Sequence, residues 1–281
     1  MGAIRGSIQN FAFFNLPILD ARFLSLGYTA PGFQQLGGPM FPSYVHAVSN
    51  LPEERWLAQA QGVNECGCTT PANALNLLYQ GKKFFDKNQM VREAGLLFRR
   101  SLGGTPSFVT EQLLKRHGAG THFGNLQRTD KDRVLRDLID RSVPVCIELG
   151  QNKIGPLKIY GQHAVLLVGY SEPYTDANGQ QHQEYYIIDA QYRDAEGNFG
   201  LHTNNFDRDG DGNAEIFPGN RTYAKAELLA NYPTGIYFPV FPSQVEHDQW
   251  YQTHMRRDSG IPVLGWLRDH VFTGSFDRWV G

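Results

Sequence analysis

Gln61-Gly62-Val63-Asn64-Glu65-Cys66-Gly67-Cys68-Thr69-Thr70-Pro71-Ala72-Asn73-Ala74-Leu75 passes from a polar, glycine-flanked turn into a stretch with helical spacing. Ala72, Leu75, Leu78 and Tyr79 recur at the period of one helix face and predict a helix over 71–80. A cysteine just ahead of a helix meets unpaired backbone N–H groups and the positive end of the helix dipole, and both favour the thiolate. The common fate of a free cysteine is a small buried hydrophobe. Cys146, between Val145 and Ile147, reads that way, whereas the polar neighbours Asn64, Glu65, Thr69 and Thr70 argue against deep burial of the 66/68 pair. A Cys-x-Cys with no matching second pair is a poor zinc site. Pro71 suits the first turn of a helix. A helix beginning at Cys66 would put it in the second turn, so on the residues alone Pro71 points to Cys68 as the attacking thiol.

Two apolar strands supply the partners that a thiol nucleophile needs. Val145–Leu149 reads as one strand of the core, and further strands follow over 163–170, 184–189 and 235–240. His163 opens the second of these and Asp189 closes the third, so adjacent strands would bring them side by side. The carboxylate would then hold the imidazole tautomer and stabilise the imidazolium. Taken singly, a histidine is most often hydrogen-bonded core and an aspartate a turn residue; it is their order and placement that single them out. The other histidines, His46, His117, His122, His182, His202, His247, His254 and His270, lie in polar or loop contexts with no such partner in view. Acyl transfer also requires donors for a developing oxyanion. Gln61 is the candidate side-chain donor, beside the nucleophile's own backbone N–H, with Gln59 as the fallback.

Ahead of these strands the chain is helical. Asn88 to Phe98 and a segment from Pro106-Ser107 to Gly118 read as helices. Thr129-Asp130-Lys131-Asp132 resembles a capping box with Asp in the fourth position. The helix it starts buries Val134, Leu135, Leu138 and Ile139 and stops before Pro144. Helices first and strands second is the α+β pattern. Residues 1–55 read as an irregular lead-in, 56–242 as the catalytic domain with an inserted acidic loop near 200–220, and 243–281 as a tail packed on it.

These pieces together resemble the bacteriocin-processing (C39-like) papain-fold cysteine peptidase family. The resemblance rests on Glu65-Cys66-Gly67 followed by Thr69-Thr70 and Ala72-Asn73-Ala74-Leu75, on the strand opened by Pro144-Val145, on His163 running to Gly169-Tyr170, and on Asp189, and it spans roughly residues 60–240. It implies a papain-like α+β fold, with the helical first half packed on an antiparallel sheet. It implies Cys66 as nucleophile, His163 as base, Asp189 as its orienting carboxylate and Gln61 as oxyanion donor, and no cofactor for the chemistry. The chain departs from the family pattern at Cys68, where Pro is common, at Pro71, and at Ala190, where Pro often follows the Asp.

At 281 residues the chain can bury a full core; 41% hydrophobic and 19% charged residues make it globular. A formal net charge of −2 gives no global field for nucleic acid, and three cysteines cannot make a disulfide framework. The first residues lack a secretory signal, and no apolar run is long enough for a membrane helix. The expectation is a soluble protein without membrane insertion, cytoplasmic or exported by a route without a cleaved signal.

Asp207-Arg208-Asp209-Gly210-Asp211-Gly212-Asn213-Ala214-Glu215 alternates oxygen-bearing side chains with a glycine at the sixth position, the beginning of a calcium loop. Asp207, Asp209, Asp211 and Glu215 would give carboxylates and Asn213 its carbonyl, and the calcium would be structural. Pro218 stands where an EF-hand has its bidentate acid. A solvated acidic turn is the plainer reading. Weak calcium sites fill outside the cytosol, in keeping with export.

The expected function is a cysteine peptidase or amide hydrolase acting on a protein or peptide, a peptidoglycan peptide included, in the setting of an exported bacterial effector or toxin. A deamidase or transglutaminase-type acyl transferase would use the same groups. A catalytically inactive papain-fold binding module, or a calcium-dependent interaction protein, is the non-enzymatic alternative.

Overall fold

The computed structural model describes residues 41–49, 58–80, 82–98, 104–127, 129–150, 152–154, 157–160, 163–193, 199 and 204–255, with backbone alone over 152–160. Most of the expected lead-in and the last part of the tail lie outside the described residues.

The core is a seven-stranded antiparallel sheet. Its strands are β1 (Val45–Ala47), β2 (Gly124–Asn125), β3 (Val145–Leu149), β4 (His163–Ser171), β5 (Glu184–Ile188), β6 (Arg221–Ala224) and β7 (Ile236–Pro239). The order across the sheet is β6-β5-β4-β3-β7-β2, with β1 also paired to β4. β3 and β5 are buried along their whole length, and β4 is buried at every position except His163. A continuous apolar run is what a strand covered on both faces requires. At its first residue β4 leaves that cover, and there the polar histidine stands.

The helices are α1 (Cys66–Tyr79), α2 (Lys87–Ala94), α3 (Ser107–Arg116), α4 (Lys131–Asp140), α5 (Lys225–Ala230) and α6 (Gln244–His254). α1 packs on β4 and β3, and α2 and α3 pack on α1. The protein is therefore α+β, with the helical half laid on an antiparallel sheet. α4 buries Val134, Leu135, Leu138 and Ile139, the residues its periodicity selects. Its cap is Asp130 rather than Thr129: the Asp130 carboxylate accepts from the Arg133 N–H at 3.2 Å, one residue later than a box on Thr129 would place it.

The expectation that the first helix starts at Pro71 is corrected. α1 begins at Cys66 and carries Pro71 inside it. Proline lacks the N–H that would bond the carbonyl four residues back, which is Gly67. Thr110 of α3 supplies the missing donor, its hydroxyl reaching the Gly67 carbonyl at 3.0 Å. A side chain at Gly67 would also meet Thr105 at 3.0 Å, so glycine admits the neighbouring segment to this turn.

α6 is the described part of the tail. Trp250 donates to Asp137 of α4 at 2.8 Å, and Ser243 caps the helix by accepting from the Glu246 N–H. No helix among the described residues is long and apolar enough to cross a membrane.

Candidate active site

Cys66 is the first residue of α1 and is partly exposed. The turn before it is set by Glu65, a buried carboxylate that accepts from the Gly62 N–H at 2.7 Å and pairs with Lys87 at 3.2 Å. Asn64 takes a left-handed conformation, φ 58°, to complete that turn. Its carbonyl lies so near Gly104 that a side chain there would meet it at 2.3 Å.

Cys68 faces the other way. It is fully buried and in contact with the Thr105 hydroxyl at 3.1 Å. Burial pushes its thiol up to about 11, against the lowering effect of the Thr105 hydrogen bond. Cys146 is buried mid-strand, and burial raises its thiol as well.

His163 and Asp189 lie on neighbouring strands, β4 at its first residue and β5 just past its last. Nε2 of His163 and Oδ1 of Asp189 are 2.8 Å apart. Cys66 is close enough to the same ring to raise its proton affinity. With Nε2 given to Asp189, Nδ1 is left for the thiol. Burial alone would lower the proton affinity of this imidazole, but Asp189 and Cys66 overcome that effect and raise it to about 9. Asp189 is nearly wholly buried. Burial favours its neutral form, yet His163, the Gln191 N–H and Arg221 hold it below the usual carboxylate range.

Gln61 and Gln59 have different roles. The Gln59 amide is spent on structure, donating to the Phe85 carbonyl at 2.6 Å and accepting from the Lys87 N–H at 3.0 Å. Its backbone is gripped at both ends by Asn73 of α1. Gln61 lies nearer the thiol in sequence, and its side-chain Oε1 is buried without a hydrogen-bond partner. A half-turn about the last side-chain bond would put the amide Nε2, a donor, in that place. The Gln61 N–H donates to the Ala190 carbonyl, and Arg193 bridges the Gln61 carbonyl to those of Ala190 and Tyr192. The segment that precedes Cys66 is thus tied to the turn that follows Asp189.

Sequence reasoning missed several groups here. Arg193, Asn220 and Arg221 gave no signal beyond being polar residues near turns. The expectation that the remaining histidines have no such carboxylate partner fails for several of them. His122 contacts His247 at 2.7 Å and Tyr237 at 3.0 Å, and His247 meets Asp248 at 2.8 Å. His46 pairs with Asp140, His117 with Glu93 and His182 with Asp176. His202 and His270 lie outside the described residues. None of these pairs includes a cysteine.

The acidic loop closes a short hairpin, Asn205–Phe206 against Glu215–Ile216. Oxygens of Asp207, Asp209 and Glu215 lie within 4.8 Å of one another. Asp211 is turned away, its two oxygens accepting from the backbone and the side-chain amide of Asn213 at 2.7 and 3.1 Å. The Asp207 carboxylate accepts from the N–H groups of Gly210 and Gly212. Hard oxygen donors of this kind suit calcium.

No protein-family model matches the chain, and no curated protein sequence matches it. Among solved structures the chain is similar to the peptidase domain of Streptococcus ComA, described as a bi-functional ABC transporter involved in a quorum-sensing pathway. The likeness has a TM-score of 0.37 at 14% identity and covers 66% of this chain and 97% of that one.

Proposed function

We propose that the protein is a thiol hydrolase of amide bonds in peptides or proteins, a C39-like cysteine peptidase in its chemistry. The observation that supports this most directly is the placement of one imidazole between a helix-terminal thiol and a buried carboxylate. His163 takes the proton of Cys66 on Nδ1. The thiolate sulfur bonds to the amide carbonyl carbon, and the carbonyl oxygen becomes an oxyanion. The Cys66 backbone N–H and the Gln61 side-chain amide hold that oxygen. His163 returns its proton to the leaving nitrogen, the C–N bond breaks, and a thioester remains on Cys66. Water, deprotonated by His163, then releases the acid and regenerates the thiol. Asp189 remains ionised throughout and holds the ring in the useful tautomer.

An amine in place of water would give acyl transfer, and a glutamine side chain as substrate would give deamidation. An inactive binding module would call for a distorted nucleophile turn. Thr110 supplies the bond that Pro71 removes, so no specific observation favours that reading. Calcium belongs to this proposal as a structural ion on Asp207, Asp209 and Glu215, outside the chemistry. The test is hydrolysis of a fluorogenic peptide library by the wild type and by Cys66→Ala. Cleavage lost in the variant supports the reading, and cleavage retained in it overturns it.

A further inference from the structure

Asp189 is held by two consecutive residues of the sheet's edge region. Asn220 takes its backbone: the Asp189 N–H donates to Oδ1 of Asn220 at 2.8 Å, and Nδ2 of Asn220 donates to the Asp189 carbonyl at 3.1 Å. Arg221, the first residue of β6, takes the side chain, with Nη1 at 3.0 Å from Oδ2 of the carboxylate. The other oxygen, Oδ1, accepts from His163 and from the Gln191 N–H. One carboxylate is thus divided between two cationic groups, an imidazole on one oxygen and a guanidinium on the other.

The approach of this segment is fixed. Gly219 has φ 73°, and a side chain there would meet the Ile187 carbonyl at 2.2 Å. Beyond it the Asn220 N–H donates to that same carbonyl at 3.0 Å. The Arg221 guanidinium lies over the Tyr223 ring at 4.7 Å and the Tyr192 ring at 5.9 Å, so the half-exposed side chain is braced on both sides. The titratable and charged groups that adjoin the pair are Cys66 from α1, Tyr192 and Arg193 from the turn after Asp189, and Arg221 and Tyr223 from β6. Arg221 alone among them places a permanent positive charge on the carboxylate that serves His163.

We propose that Arg221 is a positioning residue that fixes the Asp189 carboxylate and limits how much of its charge His163 feels, and so sets the upper pH bound of the imidazolium form. This rests on the thiol-hydrolase reading. The physics is a like-charge effect: a guanidinium beside the shared carboxylate disfavours a second positive charge on the ring. Were Arg221 merely a structural brace, its loss would change stability and leave the ring's titration where it is.

The test is titration of the His163 ring by NMR in full-length wild type, Arg221→Met, Arg221→Gln and Arg221→Lys, with iodoacetamide alkylation of Cys66 measured alongside. The expected result is a His163 midpoint about one pH unit higher in Arg221→Met and Arg221→Gln, and a return to the wild-type value in Arg221→Lys. Two neutral variants are used so that misfolding of one leaves the other to decide. A midpoint that stays put or falls in a folded neutral variant overturns the assignment of Arg221. The enzyme reading fails separately, if Cys66 of the wild type alkylates no faster than Cys66 of His163→Ala.

Discussion

Thr70 donates its hydroxyl hydrogen bond to the carbonyl of Ala164 at 3.0 Å, so the helix that carries Cys66 and the strand that begins with His163 are joined one residue from the histidine. Cys66 and Thr70 are one turn apart on the same helix face. The bond ties the turn of the helix that carries the thiol to the strand that carries the ring. Thr70→Val keeps the shape and removes the donor. It is expected to cost about 1–3 kcal/mol in denaturant unfolding and to slow alkylation of Cys66 relative to wild type. Unchanged alkylation in a folded variant would show that the bond does not place the thiol.

The two neighbouring cysteines are expected to behave differently. Cys66 is partly exposed and lies near His163, while Cys68 is buried with its thiol pushed up to about 11. At neutral pH iodoacetamide is expected to modify Cys66 far ahead of Cys68 and Cys146, as mapped by mass spectrometry. Cys66→Ser should lower peptide hydrolysis by roughly a thousandfold or more, and Cys68→Ala should leave most of it. Preferential modification of Cys68 would transfer the nucleophile's role to it.

His163 carries a pH signature whose sign follows from its environment. Its folded-state proton affinity is raised from 6.5 to about 9 by Asp189 and Cys66 in spite of burial. The stabilisation that this affords is complete below 6.5 and is lost as the pH rises through about 9. Asp189→Asn removes the charge, so the midpoint should move down and the alkaline loss of stability should shrink. Unfolding free energies of the two proteins between pH 6 and 10 check this. Peptide hydrolysis by Asp189→Asn should fall by about 10²–10⁴.

Pro71 inside α1 leaves the Gly67 carbonyl dependent on Thr110. Thr110→Val would bury an unpaired carbonyl beside Cys66, at a cost of about 1–3 kcal/mol. A double variant with Pro71→Ala restores the backbone donor and should recover most of that loss, because the helix then supplies its own bond. Equal stability of the single and double variants would show that the carbonyl finds another partner.

Calcium is expected to bind the acidic loop and to leave catalysis alone. Isothermal titration calorimetry should show one site in the wild type and none in Asp207→Asn/Asp209→Asn, with hydrolysis of the same peptide unchanged by chelator. Heat of binding that persists in the double variant would place the ion elsewhere.

Much of this architecture is legible in the residues. Val145–Leu149 and the run from His163 are continuous apolar stretches with turn residues at their ends, so their extent and burial follow from local composition. His163 and Asp189 are visible because each is a polar residue at the end of such a run. The start of α1 is not legible: a proline rule that is sound locally is overridden by a hydroxyl from Thr110, 43 residues beyond the Gly67 whose carbonyl it serves. Arg221 and Asn220 were hidden for a similar reason. They follow Pro218-Gly219 and look like the residues of any turn until β6 pairs with β5. The pairing of His122 with His247, 125 residues apart, is likewise a product of tertiary packing that no spacing reveals.

The carboxylate clamp by Asn220 and Arg221 has a consequence for the order of events during synthesis. The ribosome releases Cys66 and its helix early, the histidine strand later, and the two clamping residues later still. β7, which pairs with β3, follows them. While it is being made, the chain carries Cys66 without its strand partners, and Cys66, His163 and Asp189 come together only when the second half of the sheet has closed. On the proposed hydrolase reading, such a chain would gain its activity only after that closure.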